Sequence, residues 1–228
     1  MRPVDIIILS WDRIDDTIEA IESAANQQGI APQVQVVDQG SKPEELQRLI
    51  EYCESKPNVV LCCNKKNAGV AGGRNQASRM GSAEYIVALD NDAVFSDEWT
   101  CARAVDLMES DPTRGALAFQ INLYESPIEN PVIDESSWGY GPLTSEEWGF
   151  KVFNAKQFVG AGHMLRREAF EKVGCYDDRL FFMHEEVDVS DRLVNAGYRI
   201  EYRPDLSVRH KVSAEHRVLW KSGRYQMH

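Results

Sequence analysis

The run Tyr85-Ile-Val-Ala-Leu89 is apolar at every position and is followed at once by Asp90-Asn91-Asp92. An apolar run with no polar alternation is the pattern of a strand covered on both faces, as at the centre of a parallel sheet. Such a sheet needs helices on both sides, so this stretch points to an α/β fold. Ligands of open α/β sheets bind just outside the carboxyl ends of the strands, which is where these carboxylates stand. Carboxylates there suit a hard divalent cation, Mg²⁺ or Mn²⁺, shared with substrate phosphates. Asp and Asn also build ordinary turns, and the triplet alone does not separate the two readings.

The preceding sequence supplies the rest of such a sheet. Val4-Asp-Ile-Ile-Ile-Leu9, Gln33-Val-Gln-Val-Val37 and Val59-Val-Leu-Cys-Cys63 are strand-like. Between the first two, Ile14, Ile18, Ile21 and Ala25 recur at helical spacing. Between the next two, Ser41 and Glu44 resemble a capping box, with Pro43 in the first turn and Leu46, Leu49, Ile50 and Cys53 on one face. A helix over residues 70–80 leads to the run at Tyr85. A helix over 97–109 and a strand over 115–121 follow. The β-α-β-α order predicts a mostly parallel sheet with right-handed crossovers.

The second half is less regular. Residues 122–156 interleave Pro127, Pro131, Pro142 and three glycines with Trp138, Tyr140, Trp148, Phe150 and Phe153. That is long for a simple connection, and such loops are commonly functional. Their aromatic rings can stack on sugars or fold under and fill the core. A short strand at Gln157-Phe-Val159, a Gly160-Ala-Gly162 turn, a helix from Arg166 to Val173 and another around Val187, Leu193 and Val194 are expected. Residues 198–202 and 206–208 read as two short closing strands. At 228 residues the chain fits one domain, with residues 1–121 as a ligand-binding half and 122–228 as a second half of the same domain.

Composition excludes several function classes. A net charge of −11 argues against a sequence-independent grip on nucleic acid or anionic lipid, which needs basic surface. No stretch approaches the roughly 20 apolar residues of a membrane span, and the amino terminus lacks a signal-peptide core. The five cysteines have no zinc-like spacing, and vicinal Cys62-Cys63 reads as a pair of small core residues in a reducing cytoplasm.

Further polar turns follow the other strands: Ser10-Trp-Asp12-Arg13, Asp38-Gln-Gly-Ser41, and Asn67-Ala-Gly69-Val-Ala-Gly-Gly-Arg74-Asn75. Together with Asp90 to Asp92 they would line one rim of the sheet. Asp38 is placed to accept from the imide of a nucleobase, and Arg74 to balance a diphosphate. His184-Glu185-Glu186-Val187-Asp188 is a second carboxylate cluster, readable as an acidic helix start or as the source of a general base. His210, after a strand-like stretch, is either structural or a nitrogen ligand to the same cation.

These segments in this order resemble family 2 glycosyltransferases of the GT-A fold, from Val4 to His210. Asp5 to Arg13 is similar to the family's first strand and donor loop, and Val36 to Ser41 to its nucleobase segment. Asn67 to Asn75 is similar to its Gly-rich turn, and Ala88-Leu-Asp-Asn-Asp92 to its metal-binding Asp-x-Asp. Val173-Gly-Cys-Tyr-Asp177, Glu185-Glu-Val-Asp188 and Gly197-Tyr198 resemble the acceptor-side stretch that carries the base.

The resemblance implies an inverting transfer of a sugar from a nucleotide-diphosphate donor, with UDP or dTDP sugars favoured, to a glycan or lipid-linked acceptor. It implies Mn²⁺ or Mg²⁺ at Asp92, with His210 the candidate nitrogen ligand beside it. Ser10, Asp12, Arg13, Asp38, Gly69, Arg74, Asp90 and Asn91 would contact the donor, and Trp138, Trp148 and Asp188 the acceptor. Glu186 stands at the family's usual catalytic Asp, with Glu185 as the rival base; Glu for Asp is a departure, as is Leu9-Ser-Trp-Asp12 for a frequent Pro-Thr-Tyr-Asn. Family members often continue further, so the chain is either compact or part of a longer protein. A cytoplasmic enzyme with peripheral contact at the inner face of a membrane is the expected setting, in an oligomeric state the sequence leaves open. The competing readings are a non-catalytic nucleotide-sugar or glycan-binding module and a sugar nucleotidyltransferase. The latter would want a longer Gly- and Arg-rich loop directly after the first strand.

Overall fold

A computed structural model describes residues 1–134, 147 and 149–211. The first half alternates as expected: β1 (Arg2–Ser10), α1 (Ile14–Ala25), β2 (Ile30–Asp38), α2 (Pro43–Glu54), β3 (Val59–Cys63), α3 (Gly69–Met80) and β4 (Tyr85–Leu89). It continues through β5 (Ala93–Phe95), α4 (Thr100–Ser110), β6 (Arg114–Leu123), β7 (Phe153–Ala155), β8 (Gly162–Arg166), α5 (Arg167–Lys172), α6 (Glu185–Asn195) and β9 (Arg199–His210). All pair into one sheet in the order β3-β2-β1-β4-β8-β6-β9-β5, with β7 beside β9.

β1 to β4 run parallel in register, Ser10 opposite Asp38 and Asp38 opposite Cys63. Their carboxyl ends therefore share one rim. β8 is antiparallel to both β4 and β6, and β9 is parallel to β6. Two reversals restore direction, so β9 also runs toward that rim and delivers His210 there. The same pairing sets Gly162, at the start of β8, opposite Leu89.

Every residue of β4 is buried, as its unbroken apolar run requires. Fully burying a side chain such as Ile86 or Val87 contributes roughly 1.5–3 kcal/mol. α1 turns Ile14, Ala20, Ile21 and Ala24 inward, with Ile18 and Ala25 at the margin of the core. Asp5, buried in β1, accepts from Arg167 Nη2 at 2.6 Å and from the amide of Ala83 at 2.8 Å. It lies near the amino ends of β1 and β4, so it ties the sheet together away from the rim.

Several local expectations are corrected. Residues 157–159 are not a strand; Phe158 is instead buried and stacked on His163 at 4.2 Å, and the strand begins at Gly162. α4 starts three residues later than expected, because Asp97 Oδ1 accepts the amide of Trp99 at 2.8 Å and makes a turn before the helix. The two closing strands are one, β9, and a register shift absorbs Pro204-Asp205-Leu206. Ser41 is not a helix cap: Lys42 holds that position and no side chain caps α2. Cys63 is exposed rather than a core residue, because β3 is the outermost strand. No helix among the described residues is long and apolar enough to cross a membrane.

Candidate active site

Asp90-Asn91-Asp92 forms a tight turn pinned from three sides. The amide of Asp90 donates to Ala161 O, that of Ala93 to Asp90 O, and that of Lys211 to Asp92 O at 2.8 Å. This locks the end of β4 to the start of β8 and to the residue after β9. As a result Asp90, Asp92 and His210 each present a ligand atom within 4.8 Å of the others. Two carboxylates and one imidazole suit a divalent cation of the Mn²⁺ type. Asp90, expected at the donor, thus lies in one group with Asp92 and His210 that could hold a metal ion.

His210 is held from both sides, Nε2 at 3.3 Å from Asp92 Oδ1 and Nδ1 at 3.4 Å from Asp134 Oδ2. Burial disfavours its charged form, but the two carboxylates outweigh it and lift the imidazole to about 10. For a cation to bind, Nε2 must lose its proton while Nδ1–H stays on Asp134, the usual arrangement behind a ligating histidine. Asp134 is buried and lies in the loop that bridges back to Asn122 through Ile133. No pattern in the sequence marks it. Burial likewise opposes ionisation of Asp92, yet His210 and Arg13 hold it below the usual range. At Asp90 burial dominates and raises it, despite Arg74.

Arg74 is the hub of the second carboxylate group. It donates to Glu186 Oε1 at 2.6 Å, to Asp90 Oδ1 at 2.7 Å and to Gly160 O at 2.9 Å, with Glu185 at 3.8 Å. Its guanidinium lies over the ring of Tyr176. Val159 O can only accept, so His163 Nδ1 donates to it and Nε2 accepts from Tyr176 Oη at 2.8 Å. Burial, then the nearby Arg74, holds His163 well below its ordinary value, which fits this neutral tautomer. Gly160 is required here, because a Cβ would strike Glu186 and Arg74. Arg74, expected to meet a diphosphate, has a side chain only 4% exposed that donates to Glu186, Asp90 and the carbonyl of Gly160.

Glu185 and Glu186 open α6, after Met183 and His184 at positive φ. The two carboxylates differ. Glu185 is 3% exposed and its Oε2 has no hydrogen-bond partner, whereas Glu186 is 15% exposed. Burial, then the charge of Glu186, pushes Glu185 up to about 8. A carboxyl raised from 4.5 stabilises the fold below its unfolded value and loses that contribution as pH climbs through about 8. Thermal melts from pH 5 to 9 should show the wild type losing stability relative to Glu185→Gln, with the variant ahead above pH 8. Parallel pH profiles would contradict this.

Other expected contacts turn inward. Asp38 is fully buried and accepts from the amides of Gly40 and Ser41 and from the hydroxyl of Ser41, so it braces its own loop rather than facing a base. Ser10 is buried against Thr17, and Asn91 Nδ2 donates to Thr17 Oγ1. Gly69 has φ +78 and packs beneath the backbone of Phe181, which leaves no room for a side chain. Asp12 Oδ1 accepts from the amide of Lys42, and Arg13 pairs with Asp92. Asp188 pairs with Arg192 on the wall of an open cleft of about 530 Å³, shared with Asn75, Arg79, Tyr176 and Asp178. Trp138 and Trp148 lie outside the described residues.

Residues 5–174 match the family described as Glycosyl transferase family 2. The chain is 24% identical over 219 residues to the glucosyl-dolichyl phosphate glucuronosyltransferase of Haloferax volcanii, covering 92% of this chain and 68% of that protein. It is 25% identical over 210 residues to the O-antigen chain rhamnosyltransferase of Salmonella anatum, covering 87% and 61%. A solved mannosyltransferase from Pyrobaculum calidifontis, in complex with GDP-Man and Mn²⁺, superposes with a TM-score of 0.74 at 22% identity, covering 97% of this chain and 60% of that one. The chain thus spans only 60–68% of the length of these three proteins. The architecture is of the GT-A type, as in the mannosyltransferase.

Proposed function

The chain belongs to glycosyl transferase family 2, and on that premise we propose that it moves a sugar from a nucleoside-diphosphate donor to an acceptor hydroxyl with inversion. The observation that carries this reading is the convergence of Asp90, Asp92 and His210 on one rim with Glu186 tied to the same site through Arg74. Asp90, Asp92 and His210 would hold Mn²⁺ or Mg²⁺, which when bound neutralises charge developing on the departing diphosphate. His210 is oriented for this by Asp134. The cation in the Pyrobaculum relative is consistent with the same use of the fold.

Glu186 is the base. A hydroxyl attacks effectively only as its proton is taken, and Glu186 is the more accessible of the two carboxylates. Glu185 stays protonated at neutral pH. Arg74 keeps Glu186 aimed while linking it to Asp90, so base and donor site move as one unit. Attack from the face opposite the leaving group inverts the anomeric centre, and a single base suffices.

The acceptor approaches along α6, where Asp188 faces the cleft. A glycan or a lipid-linked sugar is the class we assign, in line with the dolichyl phosphate and O-antigen chain named for the two relatives. The carboxylate of Asp38, held by its own loop, gives no added support to a UDP or dTDP donor. The donor is therefore sought with a panel of UDP, dTDP and GDP sugars, following nucleoside-diphosphate release and the anomeric configuration of the product. Release with one donor class and an inverted product is expected. A retained configuration would overturn the mechanism, and no release with any donor would favour the binding-module reading.

A further inference from the structure

Arg13 stands at the head of α1 with φ 51 and ψ 47, directly after Asp12 at φ 53. Two successive non-glycine residues in the left-handed region are unfavourable and persist only where the surroundings impose them, often at ligand clamps. Here the loop after β2 imposes them: the amide of Asp12 donates to Ser41 Oγ at 2.7 Å, and Asp12 Oδ1 accepts from the amide of Lys42 at 2.9 Å. The consequence is a guanidinium aimed across the rim. Arg13 Nη1 donates to Asp92 Oδ2 at 2.7 Å, while Nε and Nη2 hold Asp16 Oδ2 at 3.0 and 2.8 Å.

Asp92 therefore has a side chain on each oxygen, the permanently charged Arg13 on Oδ2 and His210 on Oδ1. A divalent cation on the same carboxylate and the guanidinium repel each other strongly in a partly buried site. Arg74 has nowhere to go, being almost fully buried with three acceptors. Arg13 differs: its side chain is 27% exposed, and Asp16 gives it a second anchor. Asp16 is itself held by Lys211 Nζ at 2.8 Å, so it remains in place when Asp92 is released.

Resting on the cation reading above, we propose that Arg13 is a displaceable counter-ion of the cation site. It covers Asp92 in the cation-free protein and is driven off that carboxylate when the cation enters, staying paired with Asp16.

The test is Mn²⁺ binding without nucleotide, followed by the electron paramagnetic resonance of free Mn²⁺. It compares the wild type with Arg13→Gln, Arg13→Lys and Asp92→Asn, each first shown to melt cooperatively. Arg13→Gln should bind Mn²⁺ about 10-fold or more tightly than the wild type, because a competing unit charge a few ångströms away is gone. Arg13→Lys keeps the charge and should stay near the wild type. If Arg13→Gln matches the wild type or binds more weakly, the counter-ion role is overturned while the cation site stands. If Asp92→Asn binds as well as the wild type, or no protein binds Mn²⁺, the cation reading itself falls and the inference with it.

Discussion

Replacing Glu186 with Gln should slow sugar transfer by at least about 10²-fold, the scale expected when a general base is lost, while nucleotide binding is kept. Gln has nearly the same shape, and its carbonyl can still accept from Arg74, so the geometry around Asp90 survives. What disappears is the acceptor for the hydroxyl proton. Glu185→Gln should cost far less, because burial already keeps Glu185 protonated at neutral pH and Gln imitates that form. The two variants, compared by kcat and KM at fixed cation and donor, separate the neighbours cleanly. A larger loss in Glu185→Gln would move the base one residue back along α6.

Asp92→Asn should lower transfer by several kcal/mol of transition-state stabilisation, on the order of 10³-fold or more. It removes the carboxylate that His210 and Arg13 both face and halves the anionic ligand set. The fold should survive, since the turn at 90–92 is pinned by backbone bonds to Ala161 and Lys211 rather than by this side chain. The readouts are turnover and cation dependence together. Near-normal turnover by Asp92→Asn, or by wild type stripped with a chelator, would remove the cation from the account.

The rim of the sheet was legible in the sequence because its signals are local. Unbroken apolar runs mark β1 and β4, and polar turns directly after strands mark the places where ligands bind. His210 was recoverable for the same reason, as the residue closing a strand-like stretch. What was not legible depends on partners distant in the chain. Arg74 lies in a Gly-rich stretch, the first turns of α3, that suggests a phosphate contact, but its partner Glu186 lies 112 residues away. Asp134 lies in a loop with no periodicity, and only the bridge to Asn122 sets it behind His210. Asp38 closes β2 at the rim as expected, but its carboxylate accepts from the amides of Gly40 and Ser41, contacts that no local pattern announces. Cys63 was misplaced because nothing local says which strand ends the sheet. β8 escaped notice because it is short and contains His163 and two flanking-strand contacts that only pairing with β4 and β6 reveals.

The central claim is that Asp90, Asp92 and His210 make a cation-dependent site for a nucleoside diphosphate. Calorimetric titration of UDP, dTDP and GDP into the wild-type chain, with and without Mn²⁺, tests it most directly. At least one nucleotide should bind with Mn²⁺ present, and its affinity should collapse when Mn²⁺ is withheld or Asp92 is replaced by Asn. Binding of equal strength with and without the cation, or no binding of any nucleotide, would contradict it.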